Sequence, residues 1–169
     1  MEFVGTDINT IALIESEAEF GRAKIQGVWD VMVSLITGQS PHLLCFNDTL
    51  EELCCYQAAG LGLRDIPIKQ IVGSFSRCQE FSRRFLPRQS NIVTKERWRK
   101  IYTLAVTGVG FPPIEVYSIN ERYFVKDGHH RVSVARYLGW QTVQAYITEV
   151  SPHAYHTVGV EPQLEYEGV

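Results

Sequence analysis

The chain has 169 residues, 45% of them hydrophobic and 21% charged, with a formal net charge of −3. That is enough for one domain with a real core and a small appendage, and it is not the composition of a disordered or fibrous chain. No apolar run approaches the roughly 20 residues needed to span a bilayer, and Met1 to Asp7 lacks the basic start of a secretory leader, so a cytoplasmic protein without a membrane partner is the expectation.

Residues 1–15 read as a loosely ordered lead-in. From Phe20 to Thr37 the apolar residues Phe20, Ala23, Val28, Val31, Met32 and Leu35 fit a helical stripe. Gly38 terminates it and Pro41 blocks its continuation. Phe46-Asn47-Asp48 opens a second helix, with Asp48 as its cap and Glu51 reaching back. Leu50, Leu53, Cys54, Gln57 and Ala58 carry that helix to a stop at Gly60-Leu61-Gly62. Residues 1–62 are thus expected to form a helical hairpin used for packing or partner contact.

After Gly62 the texture changes. Ile66 to Val72 is β-branched and bounded by Gly73-Ser74, as a strand would be. Residues 73–93 are irregular and basic. Thr94 can cap a helix with Trp98, Ile101, Tyr102, Ala105 and Val106 on one face, ending at Gly108. Ile114–Tyr117 and Tyr123–Lys126 read as a hairpin around Ile119 to Arg122. Gly128 to Leu138 follows as a helix capped by Gly139, and Thr142 to Val150 alternates like a final strand. The order β–α–β–β–α–β over residues 63–150 predicts an α+β domain, a small mixed sheet with flanking helices. Residues 151–169 are left as a tail.

The four cysteines, Cys45, Cys54, Cys55 and Cys78, contain no C-x-x-C pair, and reduced, mostly buried thiols are expected. His153 and His156 are spaced H-x-x-H, but no second ligand pair lies near them, so a polar tail is preferred to a metal site. Charge is uneven. Between Arg77 and Lys100, eight basic residues face only Glu80 and Glu96, so this stretch is +6 and the remainder −9. Such a block suggests a face that meets an anion.

Val125-Lys126-Asp127-Gly128 leads a strand straight into a helix whose first turn is His129-His130-Arg131. Unpaired N–H groups and the macrodipole favour an anion there. Gly128 allows close backbone approach. Arg131 can fork onto phosphate oxygens, and the two histidines add donors. Asp127 can either cap the helix or hold Mg²⁺ beside phosphate. Arg77 and Arg84, in the irregular basic segment, are further candidate contacts to such a ligand. Lys95 and Arg99 are assigned to a solvent face opposite Trp98 and Ile101.

At these residues the sequence resembles the ParB/sulfiredoxin superfamily, and within it the ParB-like N-terminal domains. The resemblance is carried by Ile66-Pro67-Ile68 to Val72, Pro113 to Val116, Tyr123 to Arg131, Val132 to Gly139 and Val143 to Tyr146, about half the chain. It implies a ParB/sulfiredoxin-like fold and a turn that holds nucleotide phosphates. Partitioning proteins of this fold bind CTP there and carry a helix-turn-helix reader, for which the 19 residues after Val150 leave no room. Sulfiredoxins use a G-C-H-R turn with a catalytic cysteine; here His129 stands in its place, which removes the nucleophile. Free-serine kinases carry D-G-H-x-R, which Asp127 to Arg131 matches. The Arg77 to Glu80-Phe81 segment and Pro112-Pro113-Ile114 are similar to bacterial ParB-like proteins without an assigned activity. The implied ligand is a nucleoside triphosphate, ATP or CTP, with Mg²⁺. An enzyme on this site would carry out phosphoryl transfer or nucleotide hydrolysis, with Asp127 and Glu80 as candidate catalytic carboxylates. The alternative is a non-catalytic regulator binding DNA or a protein through the basic stretch. A nuclease ranks third, since the sequence shows no carboxylate cluster for two metals.

Overall fold

The computed structural model describes residues 8–51, 56–88 and 91–152. Leu53, Cys54, Cys55, His153 and His156 lie outside them. The elements run α1 (Ile8–Ile36), β1 (Leu44–Cys45), α2 (Phe46–Glu51), β2 (Tyr56–Pro67), a 3₁₀ turn (Ile68–Gln70), β3 (Ile71–Ser74), α3 (Ile92–Val106), β4 (Ile114–Ile119), β5 (Arg122–Asp127), α4 (His129–Tyr137) and β6 (Thr142–Pro152). The six strands form one mixed sheet in the order β1-β3-β5-β4-β6-β2. Strands β1, β3 and β5 run parallel, β4 is antiparallel to β5 and parallel to β6, and β2 is antiparallel to β6.

Strand alternation divides the core. Ile71, Ile114, Val116, Val125, Ala145 and Ile147 point to the face covered by α4, through Val132 and Ala135, and by Phe81 and Phe85. Phe124, Ile119 and Val150 point to the other face, where Phe46 of α2 packs. A second layer forms where α1, α3 and α4 meet. Trp98 is fully buried there, edge-on to Phe20 at 5.6 Å and donating from Nε1 to Ser133 Oγ at 3.0 Å.

Several expectations are corrected. The N-terminal helical hairpin is absent: α1 is one long helix that already includes residues 8–15, while α2 lasts six residues. Tyr56 to Gly62, expected to end the second helix, lies in β2, so position 62 falls inside a strand. Pairing along β6, from Tyr56 opposite Pro152 to Pro67 opposite Thr142, outweighs local helical periodicity. The ladder slips between Gly60 and Gly62, and Gly62 has φ +75°. The single strand expected over Ile66–Val72 is broken by the 3₁₀ turn. Arg136 of α4 donates from Nη2 to the carbonyls of Ile68 and Ile71, at 2.9 and 2.5 Å, and so pins that turn. The cap of α3 is Asn91, whose Oδ1 accepts from Thr94 N at 2.7 Å, and not Thr94. Asp48 sits within the first turn of α2 and does not precede it. Cys45 and Cys78 are joined as a disulfide instead of standing as separate thiols. The parallel pairing of β1 with β3 sets Cys45 beside Ser74, and the turn after β3 folds Cys78 back onto it, with Cα atoms 5.5 Å apart.

The hairpin of β4 and β5 is as expected, turning at Asn120 and Glu121 with φ of 49° and 61°. Among the described residues no helix is long and apolar enough to cross a membrane.

Candidate functional site

The site begins with the register of β3 and β5. These parallel strands set Ser74 beside Val125, so their carboxyl ends emerge together, where open α/β sheets hold ligands. Phe75 N donates to Val125 O at 2.9 Å and extends the pairing by one bond. The buried Ser74 hydroxyl then ties the two exits. Its oxygen accepts from Ser76 N and Arg77 N, at 3.2 and 2.8 Å, and lies 2.7 Å from His129 Nε2. With two N–H donors already on the oxygen, the hydroxyl proton goes to Nε2. His129 is therefore neutral and carries its own proton on Nδ1.

Gly128 is the residue before α4, with φ +101°. A Cβ there would stand 2.5 Å from Ile114 Cγ2, so the glycine serves the fold as well as any ligand. Asp127 does not cap the helix. Its Oδ2 pairs with Arg131 Nη2 at 2.5 Å, one turn on. Arg131 Nη1 also donates to the carbonyls of Pro112 and Pro113, at 3.2 and 2.5 Å. Its guanidinium is thus held at the rim and not free to fork.

Around the first turn of α4 lies a cavity of about 490 Å³. Five cations line it, Arg77, Arg97, Lys100, Lys126 and Arg131, against one carboxylate, Asp127. Lys126 pairs with Glu115 at 2.9 Å, and Arg77 approaches Glu80 at 3.4 Å. Arg97 and Lys100 have no carboxylate partner among the described residues. His129 and His130 complete the wall. Burial, then the cations of Arg77 and of neighbouring groups, push the pKa of each down to about 4. Both ring nitrogens of His130 are closed to solvent and without a hydrogen-bond partner among the described residues. Leaving such a group unpaired costs about 1–3 kcal/mol.

The structure therefore gathers Arg77, Asp127, Gly128, His129, His130 and Arg131 at one place. It does not bring Glu80 or Arg84 onto the cavity wall. Glu80 faces Arg77, and Arg84 pairs with Asp30 of α1 at 3.3 Å. Lys95 and Arg99 are not on a solvent face. Both reach Glu17 of α1, and Arg99 also donates from Nε to Ser16 Oγ at 3.1 Å. Ser76, Arg97, Lys100, Ile101 and Lys126 also line the cavity and were not among the expected site residues; of these, Arg97 and Lys100 are the cations on α3. Their i,i+3 spacing beside Ile101 places them on one stripe of α3, next to the Trp98 stripe, and that was the available signal.

No family model matches the chain, and no curated protein matches it. A solved structure of sulfiredoxin from Arabidopsis thaliana is similar over 50% of this chain and 82% of that chain, with 22% identity and a TM-score of 0.33.

Proposed function

We propose that the chain binds the phosphate groups of a nucleoside triphosphate, ATP or CTP, in the cavity at the start of α4. The observation that carries this is the excess of cations there, five against one carboxylate among the described residues, around a helix N-terminus. An anion would satisfy Arg97 and Lys100 together, and its charge would favour the two imidazoles behind them. Ile101 is the one aliphatic side chain on the lining, so the phosphates supply most of the recognition and the base little. Mg²⁺ would arrive with the triphosphate. Asp127 is the lining carboxylate that could meet it, and its pairing with Arg131 makes binding only weakly dependent on the ion. Phosphoryl transfer or hydrolysis would draw on the same positioned charges, with Asp127 as the candidate base. A DNA-binding reading would need Lys95, Arg99 and Arg84 for phosphates, and these are engaged by carboxylates of α1.

The test is calorimetry and thermal shift with ATP, CTP and pyrophosphate, each with Mg²⁺ and with EDTA. Saturating ligand at about 100-fold over Kd should add roughly 2.7 kcal/mol of stability by linkage. Arg97→Ala should weaken binding about 10- to 100-fold, the scale of one charge-assisted hydrogen bond. No heat and no shift with any of the three ligands would overturn the proposal.

A further inference from the structure

Helix α1 is apolar on two opposite sides. One side, including Ala12, Ser16, Phe20, Ala23 and Gly27, is buried. It packs against α3, with Phe20 on Trp98. About half a turn around the helix lies a second apolar line. It consists of Ile11, Ile14, Ala18 and Gly21, then Ile25, Val28, Met32 and Leu35. Their spacing alternates three and four without a break, which is the a/d repeat of a coiled-coil seam. The six large residues of this line are 44–68% exposed. A Cβ added at Gly21 would meet nothing within 4 Å. Trp29, at 61% exposure, and Ile36, at 83%, flank the same line. A helix apolar on both sides is normally buried on both sides, and a continuous exposed patch marks an interaction surface.

We infer that this line is a dimer seam, and that its occupant is α1 of a second copy, laid antiparallel. The pattern is complementary to itself. Turned about residue 23, it sets Ile11 against Leu35 of the second copy, Ile14 against Met32, Ala18 against Val28 and Gly21 against Ile25. Each layer occurs twice, and the two small residues at the centre face large ones, as close packing requires. A parallel, in-register pair would set Gly21 on Gly21 and Ala18 on Ala18, leaving a gap at the middle of the seam. The area is sufficient. At roughly 70 Å² per half-exposed aliphatic side chain, and more for Trp29, each copy offers about 600 Å². Both copies together bury about 1,200 Å², the lower edge of specific interfaces. The rim argues against a lipid surface. Glu15 and Glu17 flank the seam together with Arg22 and Lys24, charges of both signs, where an anionic bilayer would select a basic belt.

Sedimentation equilibrium of the full chain tests this. A dimer is expected, with Ile25→Glu and Val28→Glu each weakening it more than 100-fold while far-UV circular dichroism stays unchanged. Val109→Glu, at a 72% exposed residue outside α1, should leave the dimer intact. Ile14→Glu and Met32→Lys should each weaken association. The two combined in one chain should recover at least tenfold of the loss, because the antiparallel layer brings the new opposite charges together. A monomer at concentrations up to about 100 μM, a weak affinity on the usual scale, would overturn the inference. So would a dimer indifferent to both seam variants, or a double variant without recovery.

Discussion

Arg77 and Arg84 belong to the same basic run, yet they end in opposite circumstances. Arg84 is met by Asp30 of α1, through its side chain at 3.3 Å and its backbone N–H at 3.2 Å. Lys95 and Arg99 are met by Glu17 of the same helix. Arg77 turns instead to the cavity, which it shares with Arg97 and Lys100. A single charge block in sequence is thus sorted by a helix more than forty residues upstream of most of it. The part that α1 neutralises joins elements of the fold, while Arg77, Arg97 and Lys100 line the cavity. Net charge over a segment says that cations are present, and only packing says which of them are available.

The contrast is broken or sharpened by four measurements. The largest effect is expected from Arg77→Glu or Arg97→Glu, each of which should weaken nucleotide binding about 1,000-fold, since reversal adds repulsion to a lost charge-assisted bond. Titration calorimetry checks it, and binding unchanged in both variants would place the ligand elsewhere. Next comes the disulfide, which spans 33 residues and anchors the residue after Arg77. Reducing it, or Cys78→Ser, should lower stability by about 3–4 kcal/mol on the chain-entropy account. Nucleotide affinity should fall several-fold as the rim loosens. Denaturant melts with and without reductant decide that.

The third measurement is pH. Burial holds His129 and His130 neutral, with pKa values of about 4 against an ordinary 6.5. Folding therefore opposes their protonation. Stability is fully present above pH 6.5 and is lost as pH falls toward 4, by on the order of 3 kcal/mol for each imidazole. A bound triphosphate raises both values, so affinity should grow as pH falls from about 7 to 5, with protons taken up on binding. Calorimetry in buffers of different ionisation heat reads this directly, and proton-neutral binding at pH 6 would remove the histidines from the site. The smallest effect is expected from Arg84→Glu. It should change nucleotide affinity less than about twofold, because the cation is already paired and sits away from the cavity. A large loss there would erase the distinction between the two arginines.

The hairpin of β4 and β5 and the start of α4 were legible because their signals are local. Asn120-Glu121 suits a tight turn, and Gly128 marks the junction of strand and helix. The strand-to-helix junction that leads into the first turn of α4 was legible for the same reason. Strand β2 was not, because its helix-like spacing is overridden by a ladder to β6, some ninety residues away in the chain. Cys45 and Cys78 carry no spacing motif, and their union depends on the pairing of β1 with β3. Arg97 and Lys100 were present in the helical period of α3. What the period could not tell was which side of α3 lines the cavity, since that depends on where α1 lies.

Strand β2 is also the open margin of the sheet, at the end of its strand order. A straight margin of that length is a template on which further chains can add, strand upon strand, into a fibre. The slip in the ladder between Gly60 and Gly62 interrupts it midway, and Pro67 closes its end without an N–H to offer. The left-handed backbone of Gly62 sits at that slip. The break falls at a residue with no side chain at all, and it leaves two short edges in place of one long one.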